Sequence, residues 1–109
     1  MKILALEKEL PGATAEQFQA LLKDEACRVW ELQQSGLIRE IYLASEHRNA
    51  VLMLESSGVE EAQQALATLP LVNAGLIEFV LIPLIPYPGF ARLFEHSMIR
   101  GEAPNEPNN

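Results

Sequence analysis

The pattern of apolar and polar positions divides most of the chain into short apolar runs and two longer amphipathic segments. The apolar runs have the length and borders of strands, and they lie at residues 2–8, 37–44, 50–55 and 77–85. Helical spacing of apolar residues predicts helices at residues 14–35 and 57–69. The resulting order β-α-β-β-α-β predicts a ferredoxin-like α+β fold, in which two helices cover one face of a four-stranded antiparallel sheet.

Residues typical of helix starts and helix ends support both predicted helices. Thr14 followed by Gln17, and Ser57 followed by Glu60, have the spacing of a capping box, which predicts a helix start at each place. Gly36 is the residue type favoured just past a helix end, and Pro70 is expected to help end the second helix.

Two of the predicted strands are apolar without alternation. Residues 50–54 are apolar at every position, and residues 79–85 are nearly so, with Pro83 inside the run. A sheet with one face in water should alternate apolar and polar positions, so both faces of these strands should be covered. Because two helices cover only one face, a second copy of the chain is the expected cover of the other, giving a homodimer or larger homo-oligomer. The alternative cover is the segment after Tyr87, folded back over the sheet.

The chain is expected to contain one α+β domain at residues 1–89 and a helical extension at residues 90–100. Phe90, Leu93 and Phe94 share one side of that extension. Residues 101–109 carry no apolar pattern and are expected to be a disordered tail. Pro83 predicts a bulge or an edge position for the fourth strand, because proline cannot donate to the sheet.

Charge and composition exclude several kinds of partner. The net charge is −7, with 15 acidic and 8 basic residues, so nucleic acid and anionic membrane surfaces are unfavourable partners. There is one cysteine and no apolar stretch of membrane-spanning length, which favours a cytoplasmic location. The two histidines and the cysteine lie far apart, so no metal-ligand spacing exists and no cofactor is expected.

The best candidate for chemistry is Glu25 in the first helix. Helical periodicity places it in the middle of an apolar arc whose other members are Phe18, Leu21, Leu22, Val29 and Leu32. A carboxylate aimed at a sheet is costly unless it is paired, neutral or facing a wet pocket. Glu25 is therefore predicted either as a working acid or base, or as a member of a buried ion pair, or as a carboxylate that reaches solvent at the sheet edge.

Four further residues are candidates for the same site. Arg39 is predicted as a catalytic partner that pairs with Glu25 or holds an anionic ligand, although an exposed strand arginine is the simpler interpretation. Tyr42, on the opposite face by the two-residue strand period, is predicted to bind substrate. Glu78 at the start of the fourth strand and His47 in the hairpin turn are also predicted substrate-binding residues. The simpler interpretations are that Tyr42 is a half-buried strand residue, that Glu78 is a solvated acid and that His47 is an ordinary turn residue.

Three stretches of the sequence resemble the muconolactone isomerase-like proteins of the dimeric α/β-barrel superfamily. They are WELQQSGLIREIYLASEHRNAVLMLES, LATLPLV and GLIEFVLIPLIPYPG. The shared features are a helix ending at Gly36, Arg39 early in the next strand, Leu69-Pro70-Leu71 after the second helix and Pro83-Leu84 late in the fourth strand. Glu25 matches an acidic position of the first helix in that family.

The resemblance implies a cofactor-free proton transfer that moves a double bond in a lactone ring, and it implies a dimeric barrel. The chain departs from the family in its hairpin at residues 45–48 and in its extension at residues 90–99.

Three functions remain open from the sequence. The first is a cofactor-free isomerase acting on a lactone or small carboxylated compound, and an open pocket where Glu25 and Arg39 converge would favour it. The second is a non-catalytic binding or assembly module, which a filled space behind Glu25 would favour. The third is a cofactor-free oxygenase of the same superfamily, which an aromatic-lined pocket would favour.

Overall fold

The computed structural model describes residues 1–94, which form one antiparallel sheet with helices packed on it. The elements are β1 (Lys2–Glu9), α1 (Ala15–Gln34), β2 (Ile38–Leu43), β3 (Ala50–Glu55), α2 (Val59–Leu66), α3 (Pro70–Asn73), β4 (Ile77–Leu84) and a 3-10 helix at Gly89–Phe94. The strand order is β2-β3-β1-β4, and every neighbouring pair is antiparallel. This arrangement confirms the predicted ferredoxin-like α+β fold. It also places Pro83 on the edge strand β4, where its missing N–H is tolerated.

The start and end of α1 follow from local sequence. The Thr14 hydroxyl accepts the Gln17 backbone N–H at 3.3 Å, and the Gln17 side chain accepts the Thr14 N–H at 2.9 Å. This reciprocal pair is the predicted capping box. Gly36 follows the helix with a φ of +90°, a conformation that glycine adopts without steric cost and that ends the helix.

The capping box predicted at Ser57 and Glu60 does not form, so this prediction is wrong. The N-cap of α2 is Gly58, and it makes no side-chain cap. The Ser57 backbone N–H donates instead to the Glu61 carboxylate at 2.6 Å, so the acid that closes this end lies four residues on, not at Glu60. The N-cap therefore lies one residue after the predicted cap, Ser57.

Pro70 begins a helix instead of only ending one. The second predicted helix stops at Leu66, and the four-residue helix α3 starts at Pro70. Proline suits the first helical position because that residue needs no N–H partner and its φ is already helical. Residues 57–69 were therefore predicted as one helix where the chain makes a helix and a turn.

The main core lies between the sheet and the helices. Its fully or almost fully buried side chains are Ile3, Ala5, Leu32, Ile38, Leu52, Leu54, Ala62, Leu66 and Leu69. The sheet members recur at every second position of β1 and β3, which is the strand period. A second cluster of Leu71, Leu76 and Ile77 packs on Phe18 and Leu21 near the start of α1.

The opposite face of the sheet, here called the open face, carries two apolar rows. The cross-strand register aligns Val51, Leu6 and Val80 in one row and Met53, Leu4 and Ile82 in the next. Val80 and Ile82 are 48% and 39% exposed. Both sides of β3 and β4 are therefore apolar, as the lack of alternation predicted, and charged residues such as Lys8 and Glu78 flank the rows.

Strand β2 contains a bulge at Arg39. Ile38 pairs with Leu54 and Glu40 pairs with Met53, so β2 has one residue more than β3 across this step. Ile38 is consequently buried under the helices while Glu40 lies on the open face. The bulge interrupts the two-residue alternation from which Arg39 and Tyr42 were predicted to point to opposite faces.

Residues 85–94, here called the arm, leave the domain after β4. Their large apolar side chains are strongly exposed, at 81% for Ile85, 67% for Phe90 and 79% for Phe94. Within the arm, the Tyr87 ring meets Phe90 edge-to-face with 5.0 Å between ring centroids, and it closes over Gly89. These residues do not cover the open face of their own chain, since Val80 there remains about half exposed. The rest of the predicted extension and the predicted tail at residues 101–109 lie outside the described residues.

Candidate functional site

Glu25 projects from α1 toward the sheet, as its helical phase predicted, and it is half-buried. One carboxylate oxygen accepts the backbone N–H of Leu71 at 2.9 Å. Leu71 is the second residue of α3, where an N–H has no acceptor within the helix. The contact that the structure gives to Glu25 is thus a hydrogen bond to a helix N-terminus, not the buried ion pair considered from the sequence.

The surroundings of Glu25 raise its pKa above the ordinary carboxyl value. Burial is the main cause, because it disfavours the charged form. The hydrogen bond from Leu71 acts in the opposite direction, and the negative charge of Glu7 adds to the rise. A carboxyl group with a raised pKa holds a proton closer to neutral pH than an exposed glutamate does, which suits proton transfer.

A cavity of about 170 Å³ lies between α1 and the sheet, next to Glu25. Apart from Glu7 and Glu25 its wall is apolar, formed by Val29, Ile41, Ala50, Leu52, Leu69, Leu71, Ile77 and Phe79. The space behind Glu25 is therefore open, which is the feature expected of a small-molecule site. Phe79 is the single aromatic residue that the described part of the chain contributes to this wall, so residues 1–94 do not form the aromatic lining expected for an oxygenase.

Glu7, a residue that sequence reasoning missed, is the second carboxylate of this cavity. One of its oxygens accepts the backbone N–H of Ala50 at 2.6 Å. Glu7 follows Ile3 and Ala5 at every second position on the helix-facing side of β1, so the two-residue strand period carried the signal. It was overlooked because Glu7, Lys8 and Glu9 together resemble the solvated end of a strand.

The structure does not bring Arg39 to Glu25. Arg39 is exposed in the bulge of β2, and its Nε donates to the Gly36 carbonyl at 2.6 Å. Its charge lowers the pKa of Glu55, after the larger effect of the N-terminal amine that pairs with that carboxylate at 2.7 Å. Arg39 is not part of the cavity wall, so the convergence predicted for these two residues is wrong.

Tyr42 lies on the open face of the sheet and is 59% exposed. Its hydroxyl donates to the Glu40 carboxylate at 2.7 Å, and this hydrogen bond with a negative partner raises the pKa of Tyr42. The sheet thus separates Tyr42 from the cavity of Glu25. Tyr42 occupies the end of the apolar row that contains Val51.

His47 lies in the hairpin, and Glu78 lies at the sheet edge beside the apolar rows of the open face. His47 is exposed in the hairpin, and it lines an open groove of about 530 Å³ together with Glu7, Glu9, Arg48 and Asn49. Glu7 therefore borders both this groove and the cavity. Glu78 is exposed on β4 and borders a shallow cavity of about 200 Å³ against α2. The substrate-binding roles predicted for these residues stay predictions.

In the part of the chain that the structure describes, no three His, Cys, Asp or Glu side chains form a group that could hold a metal ion. Among residues 1–94, no helix is both long and apolar enough to cross a membrane.

Comparisons with known proteins bear on the fold. No protein-family model and no curated protein matches the chain. A muconolactone isomerase structure superposes with a TM-score of 0.67 at 21% identity, over 81% of this chain and 92% of that one. A second similar structure superposes with a TM-score of 0.56 at 17% identity, over 82% of this chain and 98% of that one. It is a 5-chloro-2-hydroxyhydroquinone dehydrochlorinase from Burkholderia phenoliruptrix in complex with 2,5-dihydroxybenzoquinone. These likenesses confirm the fold that the sequence resemblance predicted.

Proposed function

We propose that this protein is a cofactor-free isomerase of a lactone or small carboxylated compound. It binds this small molecule in the cavity between α1 and the sheet and moves a proton from one carbon of the molecule to another. The observation that carries the proposal is the position of Glu25, a carboxyl group of raised pKa at the wall of an apolar cavity. The likeness to an isomerase and to a dehydrochlorinase of similar fold supports an enzyme acting on small ring compounds.

The chemistry required of the protein is a proton shift. A hydrogen on the carbon beside the lactone carbonyl is removed, the double bond moves, and a proton is added at the far end of the conjugated system. Substrate and product have the same composition, so the reaction needs no oxidant and no cofactor. A carboxyl group whose pKa approaches the working pH can take or give that proton, and the apolar wall keeps water from competing for it.

The test is proton exchange and isomerisation on a panel of γ-lactones, followed by NMR in deuterium oxide. Glu25→Gln keeps the acceptor for the Leu71 N–H and removes the titrating group. We expect the rate to fall by about 10² or more while the protein stays folded. Asp24→Asn is the matched control, because it removes one negative charge from an exposed neighbouring position of the same helix. Equal activity in wild type and Glu25→Gln would contradict the proposal.

A second function, a non-catalytic binding or assembly module, is favoured by one contact. Glu25 accepts an N–H at the start of α3, so it connects α1 to that helix and has a structural role of its own. On this reading Glu25→Ala lowers thermal stability because it leaves the Leu71 N–H without its acceptor, and Glu25→Gln changes no rate. The two substitutions together separate the candidate functions.

We further propose that two copies of the chain pair through the open face in the cytoplasm. The two apolar rows of that face remain accessible in a single copy, and contiguous apolar surface of this kind marks an interaction site. Charged residues flank the two rows, with Lys8 and Glu78 on one side and Lys2 and Glu55 on the other, and they give the face a polar rim, as in protein interfaces. In such a dimer Tyr42 and Glu40 border the interface, which leaves them no part in the cavity chemistry.

A further inference from the structure

The cavity wall contains two carboxylates from different elements. Glu7 reaches it from β1 and Glu25 from α1, and the rest of the wall is apolar. Each carboxylate uses one oxygen to accept a backbone N–H, from Ala50 and Leu71 respectively. In the described part of the chain, the second oxygen of each makes no hydrogen bond to the protein. Two backbone anchors therefore hold two carboxylates that each keep one oxygen available.

This pairing is unfavourable for folding alone. Two negative charges at one apolar cavity repel each other, and an aliphatic residue at position 7 would continue the Ile3 and Ala5 series without that cost. Among residues 1–94, no lysine, arginine or histidine belongs to the cavity wall, so no described cation there offsets the two charges. The charged groups next to Glu7 lie on its other side, in the groove, where Glu9, His47 and Arg48 face solvent.

We propose that Glu7 is the second working carboxylate of the site, that it forms a pair with Glu25, and that this pair selects an uncharged carbonyl compound such as a neutral lactone. The inference rests on the proposed function for the reaction type. It excludes the carboxylated compounds that the sequence also allowed, because such a ligand would add its own negative charge to that of the pair, at a wall whose described residues include no cation.

The pair also divides the two proton steps. In the proposed cycle Glu25 begins with the proton, because burial raises its pKa and favours its neutral form. The Glu7 carboxylate takes the proton from the carbon beside the carbonyl, the double bond moves, and Glu25 gives its proton to the far carbon. One C–H bond breaks and one forms, and the pair ends with its single proton on Glu7. Glu7 borders the open groove, so this proton can exchange with solvent before it returns to Glu25.

The first test is an NMR pH titration of the Glu25 carboxyl carbon in the full chain. Glu7→Gln keeps an oxygen that can accept the Ala50 N–H but removes the charge, so the pKa of Glu25 should fall relative to wild type. Glu7→Asp keeps the charge and should leave that pKa closer to the wild-type value. Glu9→Gln, which removes a charge from the groove and not from the cavity, should leave it unchanged. An unchanged Glu25 titration in Glu7→Gln would overturn the pair.

The second test is ligand selectivity, measured by calorimetry with an unsaturated γ-lactone and with the same lactone carrying a carboxymethyl group. Wild type should bind the uncharged lactone more tightly than the carboxylated one. Glu7→Gln should reduce the ratio of the two dissociation constants by about tenfold or more, because it removes one negative charge near the ligand. A preference for the carboxylated lactone would overturn the substrate class. If Glu7 and Glu25 titrate as a coupled pair but neither lactone binds, the carboxylate pair is supported and the proposed isomerase is refuted. Failure of the pair can thus be distinguished from failure of the proposed function.

Discussion

A lysine on the open face tests the proposed pairing of two copies most directly. Val80 lies in the row with Leu6 and Val51, and it is 48% exposed in a single chain. Val80→Lys therefore places its charge in solvent as long as the chain is alone, and the fold should change in stability by no more than about 0.5 kcal/mol. In a symmetric dimer the same substitution brings two lysines into the apolar rows.

The expected loss of association follows from desolvation. Moving one charged side chain out of water costs several kcal/mol after relaxation, and a value of about 3 kcal/mol is at the low end. Two copies of the substitution then cost about 6 kcal/mol, which corresponds to a dimer weakened by about 10⁴-fold. A dimer with a dissociation constant near 10 nM would shift to about 100 μM and would be monomeric in most solution measurements.

Sedimentation velocity over a range of protein concentrations measures this shift, and circular dichroism checks that the fold is kept. Gln64→Lys is the matched control, because it adds the same charge at an exposed position of α2, on the helix side of the sheet. We expect the control to sediment like wild type. The reasoning is refuted if Val80→Lys and wild type show the same mass at every concentration, or if wild type is a monomer throughout.

Three further predictions concern stability and the arm. Burial raises the pKa of Glu25, so the folded chain binds the carboxyl proton more tightly than the unfolded chain does. The free energy of unfolding therefore falls as the pH rises from the ordinary carboxyl pKa through the raised one. Glu25→Gln should therefore melt at a higher temperature than wild type at pH 7, with the gain lost at about pH 3.5, below the ordinary value. Deleting residues 87–109 should weaken association or lower stability, because the exposed apolar side chains of the arm need a cover, whereas deleting residues 101–109 should change neither in sedimentation or melting experiments. Leu54→Ala should lower the free energy of unfolding by about 2–5 kcal/mol in urea titrations, since Leu54 is 0% exposed, and a loss below 1 kcal/mol would contradict its place in the core.

Local signals in the sequence predicted the fold well. The capping box at Thr14 and the glycine at position 36 act within a few residues, so the limits of α1 could be predicted without tertiary information. The unbroken apolar run of β3 predicted two apolar sheet faces, because the strand period assigns its residues to both sides. Pro83 indicated an edge strand through the donor that it lacks.

Features that depend on tertiary context were harder to predict. Pro70 can end one helix or start the next, and only the packing of Leu69 and Leu71 into neighbouring clusters decides between them. The bulge at Arg39 moved that side chain away from the position that regular alternation assigned to it. The meeting of Glu7 with Glu25 joins β1 to α1, and no local pattern predicts which strand residue faces a given helix residue.

The bulge in β2 also bears on how this strand tolerates changes of length. The apolar residues Ile38 and Ile41 are three apart, an odd spacing that places them on opposite faces in a regular strand. The extra residue Arg39 corrects this mismatch, since both then lie on the helix side of the sheet. A chain lacking Arg39 would join Ile38 directly to Glu40, and the strand would continue without a bulge and with every other side chain on its present face. A one-residue deletion, which normally inverts a strand, is at this position neutral for the facing of β2.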